Sequence, residues 1–238
     1  MPVPRLAPLL ALTALLLPSC GGGDDETIVV FAAASLTDAY QELAERYEAE
    51  HPGRTVELVL DGSNRLTRQI LDGGPAQIFA PADLVQFDTL TDGGVQTEPR
   101  EYATNVVVLA VPTDNPADIS TVAGHAGDPL VAACAEVVPC GAATRAGLEE
   151  IGVTLDADTL EVDVRAVRTK LELGEVDAGF VYASDLVASD SLGTVGPPLP
   201  GGTTYAIALL DNKAATRDFV ALVLSEPGRA ILDRWGFR

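Results

Sequence analysis

The sequence predicts an α/β fold in two lobes, each a mixed, mostly parallel sheet with helices on both faces. Three observations lead there. From residue 27 onward, short apolar runs alternate with amphipathic helical stretches, the pattern of α/β layers. No internal repeat, low-complexity tract or long linker interrupts that alternation. The chain has 238 residues, 47% of them hydrophobic, enough to bury a core in each of two modest lobes.

Residues 28–31 read as a buried strand, and Leu36, Ala39, Tyr40, Leu43, Ala44 and Tyr47 then keep helical spacing until His51-Pro52-Gly53 stops them. A second strand over 56–60 turns at Asp61-Gly62 into a helix through 66–71, which Gly73-Gly74 ends. Strand 78–80 and helix 84–90 follow, then the β-branched strand 106–111. Beyond it come strand 131–133, helices near 142–151 and 164–173, strands 178–182 and 203–210, and terminal helices over 214–224 and 229–235. Short crossovers near 102–106 and 203–206 divide the chain into one lobe of 27–104 with 206–238 and another of 105–205.

Residues 1–19 carry Arg5 and an apolar run over 9–17, too short to span a bilayer, and read as a signal peptide. Leu17-Pro18-Ser19-Cys20-Gly21 resembles a bacterial lipobox, apart from Pro18 where a small residue is usual. Cys20 is then expected to be lipidated and to lead a tether over 20–26; an ordinary leader on a secreted protein is the alternative.

Formal charge is −20, and without residues 1–19 it is −21, from 14 basic and 35 acidic side chains. Nucleic acid is thereby excluded as a partner, and a membrane is reached only through the lipid anchor. A small anion is not excluded, because oriented N–H groups can bind one whatever the net charge. Cys134 and Cys140, with five residues between them, suggest a disulfide outside the cytoplasm, with two free thiols as the alternative.

The chemistry concentrates at strand-to-helix junctions. Ser35 and Ser63 each follow a strand and open a helix, Gly141 opens one after Cys140, and Val164 opens one after Asp163. Each junction offers free amides at the positive end of a helix dipole, and ligands of open α/β sheets collect at the carboxyl ends of strands. A serine at a helix start is more often only a cap, so these junctions permit an anion site without requiring one. Gly-rich phosphate loops are missing, which disfavours nucleotides, and no His stands where it would activate a serine. His51 and His125 read as surface residues, and Arg65 and Arg165 as solvated flanks of the junctions.

Phe31-Ala32-Ala33-Ala34-Ser35-Leu36-Thr37-Asp38 resembles the opening motif of periplasmic molybdate-binding proteins, within the type II periplasmic binding proteins. In family order follow Gly62-Ser63-Asn64-Arg65-Leu66, Gly74-Pro75-Ala76-Gln77-Ile78-Phe79, Val138-Pro139-Cys140-Gly141, Val164-Arg165, Gly179-Phe180-Val181-Tyr182 and Gly236-Phe237. The similarity runs over 28–238. Gln77 departs from the family's aspartate, and Cys140 stands where alanine is common.

The resemblance implies a two-lobed periplasmic-binding-protein fold that takes molybdate or tungstate, with no cofactor, for an ABC transporter permease. It implies an oxyanion held by hydroxyl and amide of Ser35 and Ser63, amides of Cys140 and Val164, and the Tyr182 hydroxyl. These groups would contact oxygens and would not ligate the metal. Expected too are a monomer and no enzyme activity. Sulfate or another anion on the same fold is the first alternative, and a serine-nucleophile enzyme the second, disfavoured one.

Overall fold

The computed structural model describes residues 26–122 and 128–238. The expected signal peptide, Cys20, the tether up to Asp25 and His125 lie outside the described residues. Among the described residues, ten strands form two five-stranded sheets. The first holds β1 (Glu26–Ala33), β2 (Arg54–Asp61), β3 (Ile78–Ala80), β4 (Arg100–Asn105) and β10 (Thr203–Leu209), in the order β2-β1-β3-β10-β4. The second holds β5 (Val107–Pro112), β6 (Val131–Cys134), β7 (Thr159–Glu161), β8 (Ala178–Tyr182) and β9 (Leu192–Val195), in the order β7-β6-β8-β5-β9. Parallel pairs β1–β2, β1–β3, β6–β7 and β6–β8 join antiparallel ones, so both sheets are mixed, as expected.

The helices are α1 (Thr37–Glu50), α2 (Ser63–Leu71), α3 (Val85–Asp92), α4 (Pro139–Glu150), α5 (Val164–Glu172), α6 (Ala183–Val187), α7 (Ala214–Val223) and α8 (Glu226–Arg234). They cover both faces of the first sheet, which is why β1 is apolar without alternation. Ile28 and Val30 pack with Tyr40, Leu43 and Tyr47 on one face; Phe31 packs with Leu66, Phe79 and Phe87 on the other. Tyr47 meets Phe219 edge-on at 5.4 Å, a geometry worth about 0.5–1.5 kcal/mol beyond its area burial. The second lobe has its own core, from Val107 to Leu199.

Several short elements were not expected: β4, β7, β9, α6 and a 3-10 turn over Ala34–Leu36. β7 is three residues long with Leu160 facing out, and β4 begins on exposed, charged Arg100 and Glu101. Neither carries the apolar period that marks a strand. The 3-10 turn places Ser35 before α1 instead of at its first residue, and α4 opens at Pro139, two residues ahead of Gly141. Pro fits there because the first helical N–H has no partner to lose. β10 belongs to the first sheet from Thr203 onward, since Thr203 already pairs with Asn105. The return between lobes therefore precedes the expected 203–206, over 196–202, while the outward crossing is Val106 alone.

Gln77 is held by two hydrogen bonds. Its Oε1 accepts the Val29 N–H at 2.9 Å and its Nε2 donates to Asp211 Oδ2 at 2.7 Å. Burial would raise the Asp211 carboxyl, but bonds from Thr216, the Lys213 amide and Gln77 hold it below its usual range. An aspartate at position 77 would set a second carboxylate against this one.

Candidate functional site

Between the two sheets lies a cavity of about 230 Å³, counting its mouth. Its wall comes from the carboxyl ends of strands and the turns after them: Ser35 beyond β1, Ser63 beyond β2, Ala82 beyond β3, Cys140 beyond β6, Val164 beyond β7 and Tyr182 at the end of β8. All five residues singled out in the sequence thus meet in one cleft, two on the first lobe and three on the second.

Hydrogen-bond direction gives the cleft its chemical character. Ser63 Oγ accepts the Ala82 N–H at 3.0 Å, which leaves its own hydroxyl hydrogen free. Ser35 Oγ lies 2.9 Å from the Tyr205 hydroxyl; with the phenol donating, the serine hydrogen too turns toward the cleft. The Tyr182 hydroxyl is buried and makes no hydrogen bond among the described residues; the Thr203 hydroxyl stands near it outside bonding geometry and donates instead to the Ala82 carbonyl. Burial raises the Tyr182 phenol well above its usual value, so it stays a donor. At the second lobe, Pro139 has no N–H and the Ala142 N–H is taken by the Val138 carbonyl. The Cys140 and Gly141 amides are left as first-turn donors of α4. The Asp163 carboxylate caps α5 through the Ala166 N–H at 2.9 Å, so the Val164 amide also begins a helix.

Two acids on the wall, Asp61 and Asp163, would repel an anion, but Arg65 pairs with both and bridges the lobes in doing so. Opposite it, Arg165 reaches Asp38 of the first lobe at 2.5 Å, with Arg168 at 3.7 Å. Neither Arg65 nor Arg165 is the freely solvated side chain expected. Exposed pairs of this kind contribute about 0–1 kcal/mol each, so their role is charge balance more than cohesion.

Tyr205, which sequence reasoning passed over as a strand residue, orients Ser35. It is supported in turn by Phe237, whose ring meets it edge-on at 5.2 Å. The final residue pairs with β4 through Thr104, which holds that support in place. Only the closing Gly236-Phe237 motif hinted at this arrangement.

Asp185, which follows the Tyr182 motif in family order, had no role assigned to it from the sequence. Its carboxylate accepts the Tyr182 N–H at 3.0 Å, fixing the turn that carries the tyrosine. Burial pushes its carboxyl up to about 7, against the pull of that N–H and of Arg168 and Arg165, while Asp38 adds to the rise. The folded chain therefore keeps this proton after the unfolded chain has released its own near the usual 3.8. Stability should fall as pH rises from about 4 to about 7 and level off above it. Thermal melts of Asp185→Asn should show a flatter slope across that window than the parent; an identical slope would contradict this assignment.

Among the described residues, no group of three or more His, Cys, Asp and Glu could hold a metal ion. The disulfide is formed: Cys134 and Cys140 are joined, with Cα atoms 5.8 Å apart.

Two mixed α/β sheets facing each other across a cleft of helix starts and hydroxyls define a two-lobed solute-binding protein. The chain belongs to the family of bacterial extracellular solute-binding proteins, whose model matches residues 28–238. It is 38% identical over 219 residues to the molybdate-binding protein ModA of Mycobacterium tuberculosis H37Rv, covering 89% of this chain and 84% of that one. Among solved structures it is similar to the periplasmic molybdate-binding protein of Azotobacter vinelandii, at TM-score 0.75 and 18% identity, covering 89% of this chain and 98% of that one. The sulfate-binding protein SubI of Mycobacterium tuberculosis H37Rv also reaches TM-score 0.75, at 16% identity, covering 90% of this chain and 86% of that one. The shared fold therefore does not choose the anion.

Proposed function

We propose that the chain captures molybdate or tungstate in this cleft and hands it to an ABC transporter permease, without catalysis and without a cofactor. Ser35, Ser63 and Tyr182 would donate through hydroxyls, and Cys140 and Val164 through amides, to the oxygens of one tetrahedral dianion. The lobes would close over it by bending at Val106 and 196–202. Cys20 would hold the monomeric protein at the outer face of the cell membrane.

One observation carries the reading: the cleft turns hydroxyl and amide donors toward a ligand, while its serine oxygen at Ser63 and its two carboxylates are already engaged by partners within the protein. Ser63 accepts from the Ala82 amide, and Asp61 and Asp163 are paired by Arg65. Charge-assisted bonds from such donors are stronger than neutral ones. A protonated oxyanion such as hydrogen phosphate would press its O–H against one of these donors, a conflict that a fully deprotonated dianion avoids. The name and 38% identity of the mycobacterial relative favour molybdate over the other dianions that satisfy this rule. Among the described residues nucleophilic chemistry lacks a histidine base, for His51 sits at the far end of α1, about 20 Å along its axis from Ser35, bonded to the Tyr47 carbonyl.

Calorimetric titration with molybdate, tungstate, sulfate and phosphate tests the reading. Molybdate and tungstate should bind tightly, sulfate more weakly, and phosphate least. Sulfate binding as tight as molybdate would make the named ligand wrong.

A further inference from the structure

We propose that the Cys134–Cys140 disulfide is part of the anion-binding machinery. It fixes the first amides of α4 at the cleft, so the redox state of the pair and the occupancy of the cleft are linked. This rests on the oxyanion reading above.

The bond joins the last residue of β6 to the second residue of α4, and Cys140 itself lines the cavity. As a stabiliser of the fold it is poorly placed, because six positions of separation remove little entropy from the unfolded chain. As a clamp on the cleft it is well placed. Both cysteines are buried with Val138 beside them in the second lobe's core, whereas the middle of the turn between them faces water. Val137 is 73% exposed, and Glu136 reaches only Arg145, in a pair whose members are both mostly in water. The backbone bonds of the turn are Val138 N–H to the Ala135 carbonyl at 3.0 Å, Ala135 N–H to the Glu161 carbonyl at 2.8 Å and Ala142 N–H to the Val138 carbonyl at 3.0 Å. Only the last reaches α4, and it leaves the Cys140 and Gly141 amides themselves unheld.

The helix start also lies close against this turn, an approach that only glycine permits. A Cβ added to Gly141 would lie 2.0 Å from the Ala135 carbonyl oxygen. With the bond cut, nothing covalent holds the Cys140 and Gly141 amides at that close approach. Donors in a binding site must stay within about 0.5 Å of their working geometry. The oxidised protein should therefore bind the anion more tightly than the reduced one. By reciprocity the anion must favour the disulfide to the same degree.

Reduction by a dithiol cleaves the S–S bond, gives two cysteine thiols, and turns the reductant into its cyclic disulfide. The expected effect is about tenfold in affinity, equivalent to a midpoint potential about 30 mV lower when the cleft is full. Two measurements on the full chain decide the matter. The first compares molybdate titrations of the oxidised protein and of Cys134→Ser/Cys140→Ser. The second equilibrates the wild type in thiol redox buffers with and without saturating molybdate, counting free thiols by alkylation and mass spectrometry. A purely structural bond would lower the melting temperature when lost and leave the potential indifferent to molybdate. Should the double variant fail to fold, the potential of the wild type still decides. An unmoved potential in protein that binds molybdate overturns the inference alone, while no binding to the oxidised wild type overturns the oxyanion reading and this inference with it.

Discussion

Tyr182→Phe is expected to bind the anion about 10- to 100-fold more weakly while leaving the unliganded protein as stable as before, or slightly more stable. Both signs follow from one atom. The Tyr182 hydroxyl is buried with no hydrogen-bond partner among the described residues, so the empty cleft gains nothing from it and carries the cost of its lost hydration. An anion seated there would supply the missing acceptor. Losing a hydrogen bond to a charged partner costs about 1.5–3 kcal/mol, which sets the fold-change. The ring remains edge-on to Tyr205 at 6.3 Å, so packing survives the substitution. Calorimetry and thermal melts on the same preparation read the two effects. A drop in stability with unchanged affinity would show the hydroxyl to be structural.

Gly62→Val should be as damaging by a different route. Gly62 caps α2 with an ordinary negative φ of −57°, so its backbone conformation does not demand glycine. What demands it is the other lobe: an added Cβ would lie 2.7 Å from the Val162 carbonyl oxygen, with Val138 Cγ1 at 3.6 Å. That collision exists only while the lobes are together. Valine at 62 would wedge the cleft and raise the energy of the closed form by about 1–3 kcal/mol, the usual range for overpacking. Affinity should fall by about 10- to 100-fold, with little change in the melting point of the unliganded protein, whose lobes can part. Small-angle scattering should show molybdate compacting the parent and failing to compact Gly62→Val. Full compaction of the variant would contradict hinge closure at this contact.

Much of the fold was legible because the apolar runs are long and their stops are marked. The β8 limits match the run 178–182, and α1 ends where His51-Pro52-Gly53 predicts. What escaped notice was short or polar. β7 shows only Leu160, which faces water, and α6 is five residues long. The cleft was legible in part, since serines after strands and the Tyr182 motif are local features. Their orienting partners are not local. Tyr205 meets Ser35 across 170 positions, and Ala82 meets Ser63 across 19; no periodicity encodes either contact. The same holds for Gln77, whose partner Asp211 lies 134 positions away. Arg65 read as a solvated charge because nothing in one dimension sets Asp163 beside it.

The central claim is that a tetrahedral dianion is held between the lobes by donors alone. An anomalous difference map at the molybdenum edge, from crystals grown with molybdate, tests it most directly. The account predicts a single peak in the cleft. The oxygens around it should lie about 2.7–3.2 Å from the Ser35, Ser63 and Tyr182 hydroxyls and the Cys140 and Val164 amides. A peak elsewhere, or molybdenum bonded directly to a protein atom, would contradict it.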